Sequence, residues 1–203
     1  MLEVRNLSIK TRHLVFDDVS YTFEKGKLYG IVAVNGSGKT TLFRGLTGLI
    51  PTIQGSVLVE GMPVSRNRRR VFYYESFEWL DGNLSGMDYL VFVRDMWHSS
   101  VQIDEITALW DMDEYIRVPI RKYSLGMKQR LIIAMYLVAD AEYMIMDEIT
   151  NGLDEKNRSL LFQTLRSLCA ENKMILISSH YKEDIQELCD VMLTIDSQKL
   201  REV

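Results

Sequence analysis

The apolar run Leu28–Val34 leads into AVNGSGKTT (33–41), and a helix-patterned segment follows. A strand, then x-x-x-x-Gly-Lys-Thr, then a helix is an arrangement for holding phosphate. Gly36 and Gly38 let the backbone bend so that successive N–H groups, with those of Asn35 and Ser37, face an anion. The helix beginning near Lys39 adds unpaired N–H groups and its positive dipole end. Lys39 would reach the β- and γ-phosphates of a nucleoside triphosphate, and the Thr40 hydroxyl would take a Mg²⁺ position beside Thr41. Ala33 stands where such loops often carry glycine, and alanine serves there if its φ stays negative. A glycine-rich turn with an incidental lysine would have no reason to sit between a strand and a helix.

A second group of chemistry-bearing residues ends the run YMIMDE (143–148). A buried strand that delivers acids at its C-terminal end places them in the crevice where α/β sheets bind ligands. Strand alternation then divides the roles. Asp147 would hold the Mg²⁺ shell, and Glu148 would face the water that attacks the γ-phosphate. A single acid at a strand end is commonly just solvated; a pair after so apolar a run is not.

These groups need a parallel sheet behind them, and the chain supplies the pattern for one. YMIM (143–146), MILISS (174–179) and VMLTI (191–195) are short apolar runs suited to the middle of a covered sheet. Leu2–Ile9, Val19–Phe23 and Ser56–Val59 read as strands set off by turn signals, and part of VFYYESFEW (71–79) must be strand and core. Residues 155–169 place Leu160, Leu161, Leu165 and Leu168 on one helix face. Between about 77 and 138 every patterned segment reads as helix, which predicts a helical insert within an α/β core.

Composition sets the outer bounds. The 203 residues suit one domain, with 47% apolar and 26% charged residues and a net charge of −4 that gives no support for a nucleic-acid surface. Two cysteines, Cys169 and Cys189, suit a reducing compartment. No apolar signal core opens the chain, and no run approaches the ~18–20 apolar residues of a membrane span. The chain ends soon after its last expected strand, so no appended regulatory domain is expected. The eleven methionines read as core filler, and RNRRR (66–70) reads as a solvated edge.

With those residues in place, the chain resembles the ATP-binding subunits of ABC transporters over nearly its whole length. AVNGSGKTT resembles that family's phosphate loop, and YSLGMKQR (123–130) its signature segment, usually LSGGQxQR. MIMDEITNGLD (144–154) resembles the Walker B strand with its D-loop, and ILISSH (175–180) the switch strand that ends in histidine. The resemblance implies a phosphate-loop NTPase with a mostly parallel sheet, an N-terminal antiparallel β subdomain and an inserted helical subdomain. Residues 1–75 and 139–203 would form the α/β core of a single domain, and about 76–138 the helical part. It further implies ATP and Mg²⁺ as cofactors, Glu148 as general base and His180 as γ-phosphate sensor. Two subunits would close head to tail, with Ser124 and Gly126 of one meeting the ATP held by the other, and with Asp154 coupling the sites. The expected partners are a separate membrane permease and a second ATPase subunit, identical or not, at the cytoplasmic face of the membrane.

Several positions depart from the family pattern. Its Q-loop glutamine is replaced by Glu75 or Ser76, and Glu75 is preferred because a carboxylate can also serve Mg²⁺. Ile149 stands for the usual proline after the general base, and Leu125 and Met127 for a glycine and a glutamine of the signature. Thr11 falls where an adenine-stacking aromatic is usual. Phe16 points into the core, so Arg12 or His13 is left to cover the base. The aromatic segment Phe77–Leu80 is expected either to dock a permease or to belong to the helical core. The resemblance leans to export of a peptide, drug or lipid; the alternative is a soluble ABC ATPase, such as an assembly scaffold, with no transport role.

Overall fold

The structure, a computed structural model, describes residues 1–179, 183 and 185–203. The first strand, β1 (Leu2–Lys10), lies between β2 (Leu14–Phe23) and β4 (Gln54–Val59), antiparallel to both. A two-residue β5 (Met62–Pro63) extends this sheet beside β4. The second sheet runs β10 (Lys199–Glu202), β9 (Val191–Asp196), β3 (Leu28–Val32), β8 (Met174–Ser179), β7 (Tyr143–Met146), β6 (Val71–Tyr73). Its strands are parallel except β10, which pairs antiparallel with β9. Every residue of β7 and β8 is buried, which is why both read as unbroken apolar runs instead of alternating ones.

Because β3, β8 and β7 are parallel neighbours, their carboxyl ends open on one edge. The loop after β3 passes there into α1 (Lys39–Leu46), and the two acids follow β7 on the same edge. The sheet is also pinned at its other edge, where β3 begins. The Leu28 N–H donates to the Asp190 carboxylate at 2.8 Å, and the Asp190 N–H returns a bond to the Leu28 carbonyl at 2.8 Å. Arg166 of α5 (Glu155–Ala170) adds an ion pair to the other Asp190 oxygen at 2.7 Å.

The helical insert is built on α2 (Gly86–Trp97), α3 (Ile103–Leu109) and α4 (Leu125–Ala139). From Leu131 to Ala139 all of α4 is buried, so it is apolar on every side and serves as the axis of the insert. Reciprocal Ser85–Asp88 bonds cap α2, and the Ser124 hydroxyl accepts the Met127 N–H at 3.2 Å to cap α4. Among the described residues no helix is long and apolar enough to cross a membrane.

The observed elements follow the sequence-based expectation with three differences. Strand β2 begins at Leu14, five residues early, because Asp17 and Asp18 face solvent and Asp18 takes φ 49° at a register irregularity. The short edge strands β5 and β10 had no apolar alternation to mark them. Leu80 is buried and belongs to the core, while neighbouring Trp79 is 51% exposed. The arginine run falls in two 3₁₀ turns, Val64–Arg66 and Arg68–Arg70, with Val64 buried and the arginines exposed.

The Asp190 clasp carries a pH signature. Burial works against its charge, but the Leu28 N–H and Arg166 outweigh it and hold the carboxyl below its ordinary range. A depressed folded-state pKa gives stability that is present above the ordinary carboxylate value and is lost as pH falls through the folded value. Asp190→Asn is expected to unfold at lower denaturant than the unmodified chain at pH 7, with the gap narrowing below about pH 4. Denaturant midpoints at both pH values check this; a gap that is constant with pH counts against the assignment.

Candidate nucleotide site

The phosphate loop takes the shape its glycines predict. Gly36 and Gly38 have φ of 79° and 104°. A Cβ on Gly38 would come within 2.6 Å of Val15 Cγ1 and 3.2 Å of the Phe16 ring, so space as well as φ selects glycine there. Ala33 is not among the residues with positive φ, as its place requires. Helix α1 has Gly38 at its N-cap, with no side-chain cap and no acid in its first turn, which leaves its N–H groups open to an anion.

Lys39 is 6% exposed, and its ammonium donates to the carbonyls of Ala33 at 2.7 Å and Val34 at 3.4 Å. The buried Ser37 hydroxyl has no hydrogen-bond partner within the protein. Such an orphan is costly unless a ligand or water meets it. A cation folded against its own loop, beside a buried hydroxyl in want of a partner, fits a phosphate group.

The acid pair is organised by two hydroxyls. Asp147 accepts from Thr40 Oγ1 at 2.8 Å and from Ser178 Oγ at 2.5 Å. The same Ser178 oxygen accepts the Glu148 N–H at 2.9 Å. A hydroxyl and a carboxylate in contact at the phosphate end of α1 are hard oxygen donors suited to Mg²⁺. Glu148 lies beyond the end of β7 with φ 50°, and Asn151 donates to its Oε2 at 2.9 Å. The two carboxylates therefore part through a left-handed turn, where the sequence suggested strand alternation.

An open cavity of about 260 Å³ joins these groups, and Thr40, Glu75, Ser76, Gln129, Asp147 and Glu148 help to line it. Glu75 and Ser76 both reach it, but they differ in partners. The Ser76 hydroxyl accepts the Glu78 N–H at 3.1 Å and caps a short turn. Glu75 is gripped by Arg44 of α1: Nε donates to Oε2 at 2.5 Å and a terminal guanidinium nitrogen bonds Oε1. Glu75 was legible as a site residue before the structure, but Arg44 and the pairing were not.

Gln129 and Ser178 are further site residues that the motifs alone did not assign. Gln129 is 4% exposed and donates to the Ile149 carbonyl at 2.7 Å, tying α4 to the turn after Glu148. Its one signal was its place in the signature segment, between Lys128 and Arg130. Tyr136 of α4 also reinforces this side, accepting the Tyr74 N–H at 3.0 Å and donating to the Ile145 carbonyl. Burial pushes its phenol well above the ordinary range, so it stays a neutral donor.

The remaining expected residues sit apart from the cavity. Ser124 caps α4, and a Cβ on Gly126 would lie 3.4 Å from the Gly152 carbonyl. Asp154 caps α5, accepting the Asn157 N–H at 2.8 Å, and that bond holds its carboxyl below the usual range. Arg12 and His13 are exposed in the turn after β1, and Phe16 is fully buried. His180 lies outside the described residues.

Comparison with known proteins identifies the family. The family model described as ABC transporter matches residues 16–151. The chain is 33% identical to an uncharacterized ABC transporter ATP-binding protein, YybJ, of Bacillus subtilis (strain 168), over 98% of this chain and 94% of the relative. It is 32% identical to Nod factor export ATP-binding protein I of Cupriavidus metallidurans, over 97% of this chain and 68% of that protein. The fold matches a solved ATP-binding subunit of an ABC transporter with TM-score 0.91 at 21% identity, covering 100% of this chain and 89% of that one. It also matches the dimeric bacterial ABC transporter cassette MJ0796, with TM-score 0.87 at 17% identity, over 100% of this chain and 98% of that one. The strand-borne acids, the phosphate loop and the signature helix thus stand in a chain that belongs to the ABC transporter family, as one of its ATP-binding, ATP-hydrolysing subunits.

Proposed function

We propose that this subunit drives export of a peptide, drug or lipid through a separately encoded membrane permease, and that it works as half of a head-to-tail ATPase pair around MgATP. The observation that carries the catalytic part is the convergence of Thr40, Asp147 and Glu148 on one cavity beside Lys39. The relative named for Nod factor export supports the direction of transport. The second subunit can be identical or different. The assembly sits at the cytoplasmic face of the membrane and engages no nucleic acid.

In this reading Lys39 leaves the loop carbonyls to meet the β- and γ-phosphates, and the N–H groups of residues 35–41 surround them. Thr40 and Asp147 would hold Mg²⁺, which supplies charge neutralisation across the phosphates. Glu148, oriented by Asn151, takes the proton of the attacking water. His180 senses the γ-phosphate. Ser124 and the N–H groups near Gly126, at the capped start of α4, meet the partner subunit's nucleotide, and Asp154 couples the two sites. Arg12 covers the adenine from an exposed turn. Trp79 is the exposed anchor for the permease, and its ring centroid lies 6.1 Å from that of Tyr74, next to Glu75.

Glu148→Gln should keep nucleotide binding and lower turnover by about a hundredfold or more, the usual scale for a general base. Steady-state hydrolysis and equilibrium binding measure the two effects separately; hydrolysis near the unmodified rate would remove Glu148 from the role. Purified from solubilised membranes in MgATP, this variant should bring with it a protein of several membrane spans. Adding Trp79→Ala should release that protein while the ATPase fold is retained by circular dichroism. Recovery of no membrane protein with either chain would leave the non-transport ATPase as the better reading.

An exposed arginine recovers only part of the ~1–3 kcal/mol that aromatic stacking gives a base. GTP is therefore expected to bind within about tenfold of ATP, a difference of ~1.4 kcal/mol. Competitive titration decides it, and a preference for ATP beyond about a hundredfold would require a specific adenine contact.

A further inference from the structure

Three carboxylates, Glu75, Asp147 and Glu148, line the cavity that would receive a triphosphate. Carboxylate charge beside a polyanion would oppose its entry unless cations offset it. Asp147 belongs to the metal position through Thr40 and Ser178, and Glu148 is held by Asn151. Glu75 has another arrangement. Both of its oxygens are taken by the fork of Arg44, and the Tyr73 hydroxyl lies 3.3 Å from Oε2. A two-pronged guanidinium–carboxylate contact fixes orientation as well as charge.

The two partners differ in their freedom to move. The Glu75 side chain is 12% exposed, whereas that of Arg44 is 41% exposed. Arg44 projects from α1, the helix that begins at Lys39, and is not among the cavity-lining residues. Its guanidinium can swing to solvent at small cost, while Glu75 stays in the cavity wall. The carboxylate then has two candidate cations, the arginine that grips it and a metal at Thr40 and Asp147, which line the same cavity.

We propose that Arg44 competes with Mg²⁺ for Glu75, so that Arg44 is a positioning residue that sets how much Mg²⁺ the site needs to hold nucleotide. The inference rests on the MgATP reading of the cavity. With Arg44 engaged, Glu75 is neutralised and withheld from the metal. With Arg44 released, Glu75 adds a third oxygen ligand to those of Thr40 and Asp147. A glutamine at position 75 would lack the charge that makes the exchange worth a measurable shift.

The test is binding of a fluorescent ATP analogue to the full chain, titrated with Mg²⁺. Arg44→Gln should lower the Mg²⁺ concentration for half-maximal binding by about fivefold, the scale of losing one partly exposed competing ion pair. Arg44→Lys, which keeps the charge but loses the fork, should fall between. Glu75→Gln should raise the Mg²⁺ requirement, and the double variant should match Glu75→Gln alone. An unchanged or higher requirement in Arg44→Gln overturns the proposal, as does a double variant that keeps the Arg44→Gln shift. So does an equal loss of binding with and without Mg²⁺, which would mark a purely structural pair. If binding to the unmodified chain ignores Mg²⁺ altogether, it is the underlying MgATP reading that fails.

Discussion

The hydrogen bonds that converge on Asp147 are the constraint around which the site is arranged. One oxygen accepts from Thr40, on the helix that follows β3, and the other from Ser178, near the end of β8. With Asp147 itself just past β7, the contact gathers three adjacent parallel strands at their carboxyl edge. Such convergence is available only because β3, β8 and β7 are neighbours in the same direction. A half-buried carboxylate needs hydrogen bonds, and two hydroxyls give one to each oxygen without neutralising its charge. The charge remains available to a cation, and the phosphate loop is held in register with the acids before any ligand arrives.

The surrounding elements keep that edge from shifting. Gly38 lets the loop press against Val15 and Phe16 of the antiparallel sheet, so the small sheet supports the loop from behind. On the other side, Tyr136 and Gln129 of the buried helix α4 bond the ends of β6 and β7 and the turn at Ile149. The start of α4 is therefore linked to the turn that carries Glu148 and Ile149 within one subunit. Glu148 itself sits at φ 50°, an unfavourable backbone for a glutamate that the flanking bonds must sustain.

Much of this was readable in the sequence because it depended on local chemistry. Glycine spacing specified the loop, unbroken apolar runs specified the central strands, and adjacent acids after one such run marked the edge where the cavity opens. The fully apolar C-terminal part of α4 was legible for the same reason. What escaped depended on distance along the chain. Arg44 and Glu75 are 31 residues apart, and nothing in either neighbourhood announces that they pair. Ser178 was visible only as part of an apolar strand, yet its hydroxyl orders both acids. The segment after position 75 was ambiguous because Trp79 and Leu80 look alike as apolar letters; only the turn at Phe77–Trp79 decides which one faces water.

The leucine in the signature segment is accommodated by a residue outside that segment. Leu125 stands where the family pattern has glycine, and half of its surface is exposed. Its side chain lies over Gly152, where an added Cβ would sit 3.1 Å from Leu125 Cγ and 3.2 Å from Cδ2. Gly152 also has φ 76°, so its backbone favours glycine independently of the leucine. The bulk missing at one position thus makes room for the bulk added at the other. Gly126, one residue on, faces the Gly152 carbonyl, which a Cβ there would meet at an ordinary contact distance of 3.4 Å. Leu125 consequently leans toward the turn before Asp154, while Ser124 stays exposed at the helix start, so the substitution changes the flank of α4 more than its capped end.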